Sequence, residues 1–201
     1  IDEVDYLIVS DGVFSKTKAI LENKITKPNY LGSIAFRFLI SNDHQPYFNK
    51  SNISLVMSSN CHLVAYPTNL DDLNIVMIVR TPESNLQKLQ EDTYVKNFLK
   101  NSILKDYSGL TRLENNNFKC WPIYFSQRAE ISKSKNIFYL GDAFYAFPPT
   151  MAQGASQSIE ASMELSKIIQ SNSIEKTKEY FVNRARRSGV IIKRSKFNYF
   201  A

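Results

Sequence analysis

The stretch from Asn136 to Ala155 constrains the fold most. A short apolar run, Ile137-Phe138-Tyr139-Leu140, stops on Gly141-Asp142, passes through the Pro148-Pro149 loop and reopens at Gln153-Gly154-Ala155. Such a run bounded by a glycine turn reads as a buried strand, and the residues from Gln153 to Ile169 read as the helix that follows it. Strand, turn and helix form the repeating unit of an α/β sheet, where ligands collect at the ends of strands and the starts of helices. Here the strand carries the Asp142 carboxylate to that edge, where it can accept hydrogen bonds from a polyol. The helix opening beside it presents free backbone amides and a positive dipole end to the same crevice.

A second unit of this type lies near the other end of the sequence. Tyr6-Leu7-Ile8-Val9 forms a short apolar strand, Asp11-Gly12 closes it, and Ser15 to Leu21 is helical in pattern. Between the two units the pattern changes. Ser33 to Ile40, Ile53 to Ser58, His62 to Pro67 and Asn74 to Arg80 read as strands joined by short polar connections, which predicts an antiparallel sheet. Two helices, Glu83 to Leu89 and Asp92 to Leu104, and a returning strand, Phe118 to Tyr124, are expected after it. The last helix is expected from Ile174 to Arg187, with Asn172 and Glu175 at the spacing of a capping box. The predicted fold class is therefore α/β with an inserted antiparallel sheet, in other words α+β, with a partial Rossmann-like domain and a separate β-sheet domain.

Composition narrows the function by exclusion. A chain of 201 residues with 43% hydrophobic content sustains one substantial core and a small satellite domain. Its longest apolar stretches, such as Ile75 to Val79, fall far short of the roughly 20 residues a membrane helix needs, and a cytoplasmic location is the default expectation. Cys61, Cys120, His44 and His62 have no metal-ligand spacing, so no metal is expected and the cysteines read as structural. The net charge of +6 owes much to Arg184, Arg186, Arg187, Lys193, Arg194 and Lys196. That run reads as a solvated helix face rather than a nucleic-acid surface, and peripheral contact with an anionic membrane stays open.

Taken together and in this order, Gly141-Asp142-Ala143, Pro149, Ala152-Gln153-Gly154-Ala155 and Ile159-Glu160 resemble the second flavin-binding motif of the class A FAD-dependent aromatic monooxygenases. This is the para-hydroxybenzoate hydroxylase fold, and the resemblance is greatest to its salicylate hydroxylase-like branch. Asp5 through Ser15 resembles the family's Asp-Gly motif, Ile34-Ala35-Phe36-Arg37 and Leu63-Val64-Ala65-Tyr66-Pro67 resemble strands of its substrate sheet, and Trp121-Pro122-Ile123-Tyr124 resembles the segment before the second motif. The family's opening glycine-rich βαβ unit has no counterpart here, and a chain starting at Ile1 reads as truncated.

The resemblance implies FAD as cofactor, NADH or NADPH as co-substrate, O2, and a small aromatic substrate that is hydroxylated with oxygen activated at the flavin C4a carbon. It implies a partial FAD-binding domain over 1–28, a substrate-binding antiparallel sheet with helices over 29–126, FAD binding again over 127–172, and a C-terminal helix over 173–201. The expected cofactor contacts are Asp11, Gly12, Gly141, Asp142, Pro149, Gln153, Gly154 and Ala155. Pro149 is also expected beside the reacting edge of the ring, while Arg37, Tyr66 and Trp121 are candidates for the substrate. Four positions depart from the family pattern: Lys18 and Tyr145 replace Arg and His, Ser156 replaces Asn, and Ala65 stands where many members place His. A ubiquinone-pathway ring hydroxylase, an epoxidase and a non-catalytic flavin-binding module remain alternatives on the same fold.

Overall fold

The two sequence-distant strand units meet. In the computed structural model β1, Leu7–Val9, pairs in parallel with β7, Ile137–Tyr139, through Leu7 with Ile137, Ile8 with Phe138 and Val9 with Tyr139. Residues 4–23, 27–41, 47–49, 51–69, 71–90, 92–101, 119–126, 129–171 and 173–200 are described by the structure. The chain divides into two compact units, one formed by Ile1–Leu31 with Tyr124–Ala201 and the other by Gly32–Ile123. The architecture is α/β with an inserted antiparallel sheet.

The inserted unit is built on five strands in the order β3-β4-β5-β2-β6. They are β2, Asn29–Ser41; β3, Ser54–Met57; β4, Cys61–Pro67; β5, Asp72–Arg80; and β6, Lys119–Phe125. Period-2 alternation puts Phe36, Phe38, Leu63, Ile75 and Met77 on one face, where they form a continuous core with Leu86, Leu89 and Phe98 packed against it. Each such side chain contributes about 1.5–3 kcal/mol on full burial, so this face fixes the register. The expected helix over Glu83 to Leu89 is instead two short 3-10 turns, Glu83–Asn85 and Gln87–Gln90, entered from Pro82. α2 spans Asp92–Lys100, and the expected extension to Leu104 lies outside the described residues.

In the other unit α1, Lys16–Leu21, follows β1, and α3, Gly154–Ser171, follows β7. α4 spans Ile174–Phe200, well past the expected end at Arg187. Ser173 opens it: the Ser173 hydroxyl accepts from the Lys176 amide at 3.4 Å. Asn172, the expected cap, lies outside the described residues. α3 and α4 are clasped by Arg184, which is buried, donates to the Gln157 carbonyl at 2.7 Å and lies 3.3 Å from Glu160. Arg187 reaches Glu160 at 2.7 Å, and Tyr180 donates to the Ala161 carbonyl at 3.3 Å. Arg184 and Arg187 thus hold two helices together, and Arg184 is buried rather than on the solvated face expected of the basic run, because its carbonyl and carboxylate partners lie between the helices. Among the described residues no helix is long and apolar enough to cross a membrane.

Candidate functional site

Parallel pairing of β1 with β7 brings both acidic turns to the same end of the sheet, because Asp11 and Asp142 each follow the C-terminal end of their strand. The turns are built differently. Asp11 is exposed but engaged: its Oδ2 accepts the Thr17 amide at 3.1 Å, and the Ser15 hydroxyl, then Thr17, hold its carboxyl down at about 2. Ser15 is the cap of α1 and accepts the Lys18 amide at 3.0 Å. Gly12 sits at φ +87, a left-handed backbone that glycine adopts without the Cβ penalty.

Asp142 lies within the single 3-10 turn Gly141–Ala143 that ends β7. Among the described residues no donor reaches its carboxylate, and protein crowding raises its pKa although much of the residue is exposed. Gly141 has φ +58, and a Cβ there would meet Ser158 Oγ at 3.2 Å, so this turn fits closely against α3. The Gly141 carbonyl takes both the Phe144 amide at 3.0 Å and the Tyr145 amide at 2.9 Å.

The loop between this turn and α3 contains the 3-10 turn Pro149–Met151, with Pro149 exposed. It ends on Ala152, a non-glycine residue at φ +50, which marks local backbone strain missed by the sequence reading. Gln153 is tied down by its carbonyl, which accepts the Gln157 amide at 2.9 Å and the Ser156 hydroxyl at 3.0 Å. Gly154 and Ala155 begin α3; a Cβ on Gly154 would meet no atom within 4 Å, so space lies open above the helix start. Thr150 donates to the Ser195 carbonyl at 2.7 Å, anchoring the loop to the far end of α4.

The departures from the family pattern have distinct places. Lys18 is buried and donates from Nζ to the Ala143 carbonyl at 3.1 Å. Tyr145 is buried and stacks on Phe147, and burial raises its phenol pKa. Ser156 is exposed and serves the start of α3.

In the inserted unit, Arg37 on β2 and Tyr66 on β4 lie on the sheet face opposite the apolar core. The register places Arg37 opposite Val76, and Tyr66 opposite Asn74, which in turn lies opposite Leu39. Alternation along β6 puts Cys120 toward the core and Trp121, 46% exposed, on the other face. Arg37, Tyr66 and Trp121 therefore share a face. Asn74, fully buried, joins them: its Oδ1 accepts Arg37 Nε at 2.7 Å and its Nδ2 has no partner among the described residues. The signal for Asn74 was present as the one amide within the apolar run of β5. Ala65 points the other way, fully buried in the core cluster, so a side chain there addresses the core rather than the face of Tyr66. Burial pushes the Cys61 and Cys120 thiols up to about 11, which leaves them protonated and inert. No cluster of metal-ligating side chains occurs among the described residues.

The squalene epoxidase family model matches residues 4–196, across both acidic turns and the inserted sheet. The chain belongs to the squalene epoxidase family. A relative of this family member is the YetM protein of Bacillus subtilis (strain 168), assigned to the FAD-dependent monooxygenases: 24% identical over 193 residues, covering 92% of this chain and 51% of YetM. Among solved structures, Klebsiella pneumoniae HpxO with FAD and uric acid aligns at TM-score 0.73 and 15% identity, covering 96% of this chain and 50% of HpxO. A salicylate hydroxylase substrate complex aligns at TM-score 0.74 and 15% identity, covering 97% and 54%. The squalene epoxidase family chain thus has the fold of the FAD-dependent monooxygenases, as its motifs implied, and spans about half the length of the relatives it matches.

Proposed function

We propose that this chain is the flavin-contacting and substrate-facing part of an FAD-dependent monooxygenase that uses NAD(P)H and O2 to hydroxylate an aromatic acid or phenol. The observation that supports it most is Asp142: a partly desolvated carboxylate at the end of a parallel strand, with no donor reaching it among the described residues. A group of this kind gains most from ligand hydroxyls, since charge-assisted hydrogen bonds offset the solvation it has lost. The surrounding residues fit FAD. Gly12 leaves open space where a side chain would stand, and the α3 start at Gly154 is open and of a polarity that favours negative charge.

In this reading Asp142 holds the ribityl hydroxyls. Asp11 and Gly12 shape the neighbouring turn, and Gln153, Gly154 and Ala155 would offer backbone amides to the pyrimidine end of the ring. Pro149 lies beside that ring and limits water. FAD, when bound, supplies the electron and oxygen transfer, so no protein side chain need act as a nucleophile. Arg37, Tyr66 and Trp121 orient the substrate. The Arg37 guanidinium, braced at Nε by Asn74, keeps its other nitrogens for a carboxylate or phenolate.

The test uses the full-length gene product that carries these residues: FAD occupancy by absorbance, NAD(P)H oxidation with and without a set of phenols and aromatic acids, and product identity by mass spectrometry. Substrate-stimulated oxidation with an added oxygen atom in the product is expected. Full FAD occupancy with no oxygenated product from any compound overturns the oxygenase reading in favour of a non-catalytic flavin module. The family match supports a second reading, epoxidation of an alkene. Isoprenoid alkenes in the same set, giving epoxides while aromatic compounds stay unchanged, select it.

A further inference from the structure

Lys18 is a cation inside the unit that carries both acidic turns, and its hydrogen bond joins residues 125 positions apart in sequence. A buried charge is retained only where partners hold it. Its Nζ donates to Ala143 O at 3.1 Å, and the Glu130 and Asp11 carboxylates favour the ammonium against the burial that lowers its pKa. Glu130 belongs to the same knot, because its amide donates to the Phe144 carbonyl at 2.9 Å.

The acceptor matters as much as the donor. Ala143 is fully buried, and the nearby amides of Phe144 and Tyr145 both turn back to Gly141 O. The Ala143 carbonyl therefore takes its donor from outside the turn, and a buried carbonyl left without one carries the cost of a lost hydrogen bond. At its other end Lys18 is fixed by its own amide, which donates to Ser15 Oγ at 3.0 Å, while the Ser15 hydroxyl serves Asp11. One residue is thus tied by its backbone to the Asp11 turn and by its ammonium to the Asp142 turn.

We infer that Lys18 is a positioning residue that clasps the two turns, so that the Asp142 carboxylate is held toward the polyol chain of a flavin. The inference rests on the flavin reading above and adds the residue that sets its geometry. A lysine suits the task because a single carbonyl needs one donor, and a compact ammonium supplies it with fewer surplus N–H groups than a guanidinium.

The experiment compares the wild-type full-length gene product with its Lys18→Met and Lys18→Arg variants by amide hydrogen exchange and by quenching of FAD fluorescence. Lys18→Met is expected to speed exchange at Phe144 and Tyr145 while β4 and β5 stay protected, and to weaken FAD about tenfold, the loss of one charge-assisted hydrogen bond. Lys18→Arg, which keeps charge and donor, is expected to restore most of both. A folded Lys18→Met chain with unchanged exchange and unchanged FAD affinity overturns the inference, as does Lys18→Arg behaving like Lys18→Met. Should Lys18→Met not fold, Lys18→Gln is read in the same way. A wild-type full-length protein that quenches no FAD at any concentration counts against the flavin reading, and the exchange data then decide the clasp on their own.

Discussion

The two acidic turns share a sheet edge and a residue type but not a condition. Asp11 is satisfied by its own helix, through Ser15 and Thr17, and its carboxyl is held at about 2. Asp142 has no donor reaching it among the described residues, and the protein crowded around it raises its pKa. The first carboxylate is thus engaged at the start of its own helix, while the second meets no protein donor among the described residues. The same contrast extends to the glycines: Gly12 opens onto free space, whereas Gly141 is pressed against Ser158.

The largest effect expected from this contrast is at the glycines. Gly141→Val combines left-handed strain with a Cβ at 3.2 Å from Ser158 Oγ, and should cost about 3 kcal/mol of stability. Gly12→Val adds only the strain, about 1–2 kcal/mol. Urea unfolding measures both, and equal losses would show that the two turns are packed alike.

Next come the carboxylates. Asp142→Ala should weaken FAD binding by about 1.5–3 kcal/mol with little loss of stability. Asp11→Ala should do the reverse, with about 1 kcal/mol lost from folding as the cap of α1 is weakened. Flavin titration beside urea unfolding separates them, and a larger binding loss for Asp11→Ala would reverse the assignment of the turns.

The third test uses pH, where the signs differ. Asp11 titrates lower in the folded chain than the usual 3.8, so its contribution is present above that value and is lost as pH falls through about 2. Asp142 titrates higher when folded, so the cost of ionising it is absent below 3.8 and appears as pH rises through the raised value. Relative to wild type, Asp142→Asn should gain stability toward neutral pH and Asp11→Asn should lose it, with both differences vanishing at strong acid. Urea midpoints between pH 2 and pH 7 read the two slopes, and slopes of the same sign would contradict the contrast.

The smallest effect is expected at the loop that leads to α3. Ala152 at φ +50 carries strain that glycine relieves, and Ala152→Gly should raise stability by about 0.5 kcal/mol after the added freedom of the unfolded chain is subtracted. A loss of stability measured by thermal unfolding would mean that the Ala152 side chain makes a contact outweighing its backbone strain.

The strand units and the inserted sheet were legible because apolar runs closed by Gly and Asp are local signals. The 3-10 turns at Glu83–Asn85 and Gln87–Gln90 were misread as helix because composition suits either, and entry from Pro82 with packing of Leu86 and Leu89 on the core decided between them. α4 was ended too early at Arg187, where Ser188-Gly189 looks like a stop. Ser188, Ile192 and Ser195 are buried at helical spacing, and that packing carries the helix through the glycine. Among the candidate substrate residues, the shared face of Arg37, Tyr66 and Trp121 emerges only once strand register is known.

By itself the sequence determined which residues end strands and open helices: Asp11-Gly12, Gly141-Asp142 and Gln153-Gly154 follow from short-range chemistry, in which glycine frees the backbone and a carboxylate follows an apolar run. Only the tertiary structure decided which carboxylate is free. That depends on a hydroxyl four residues away for Asp11, on the absence of a donor among described residues for Asp142, and on an ammonium reaching across 125 positions to Ala143. It also decided that Ala65 faces a core while Tyr66, its neighbour, faces Asn74. Hydrogen-bond satisfaction and the side of a sheet are properties of neighbours in space, and the order of residues along a chain specifies them only through the fold.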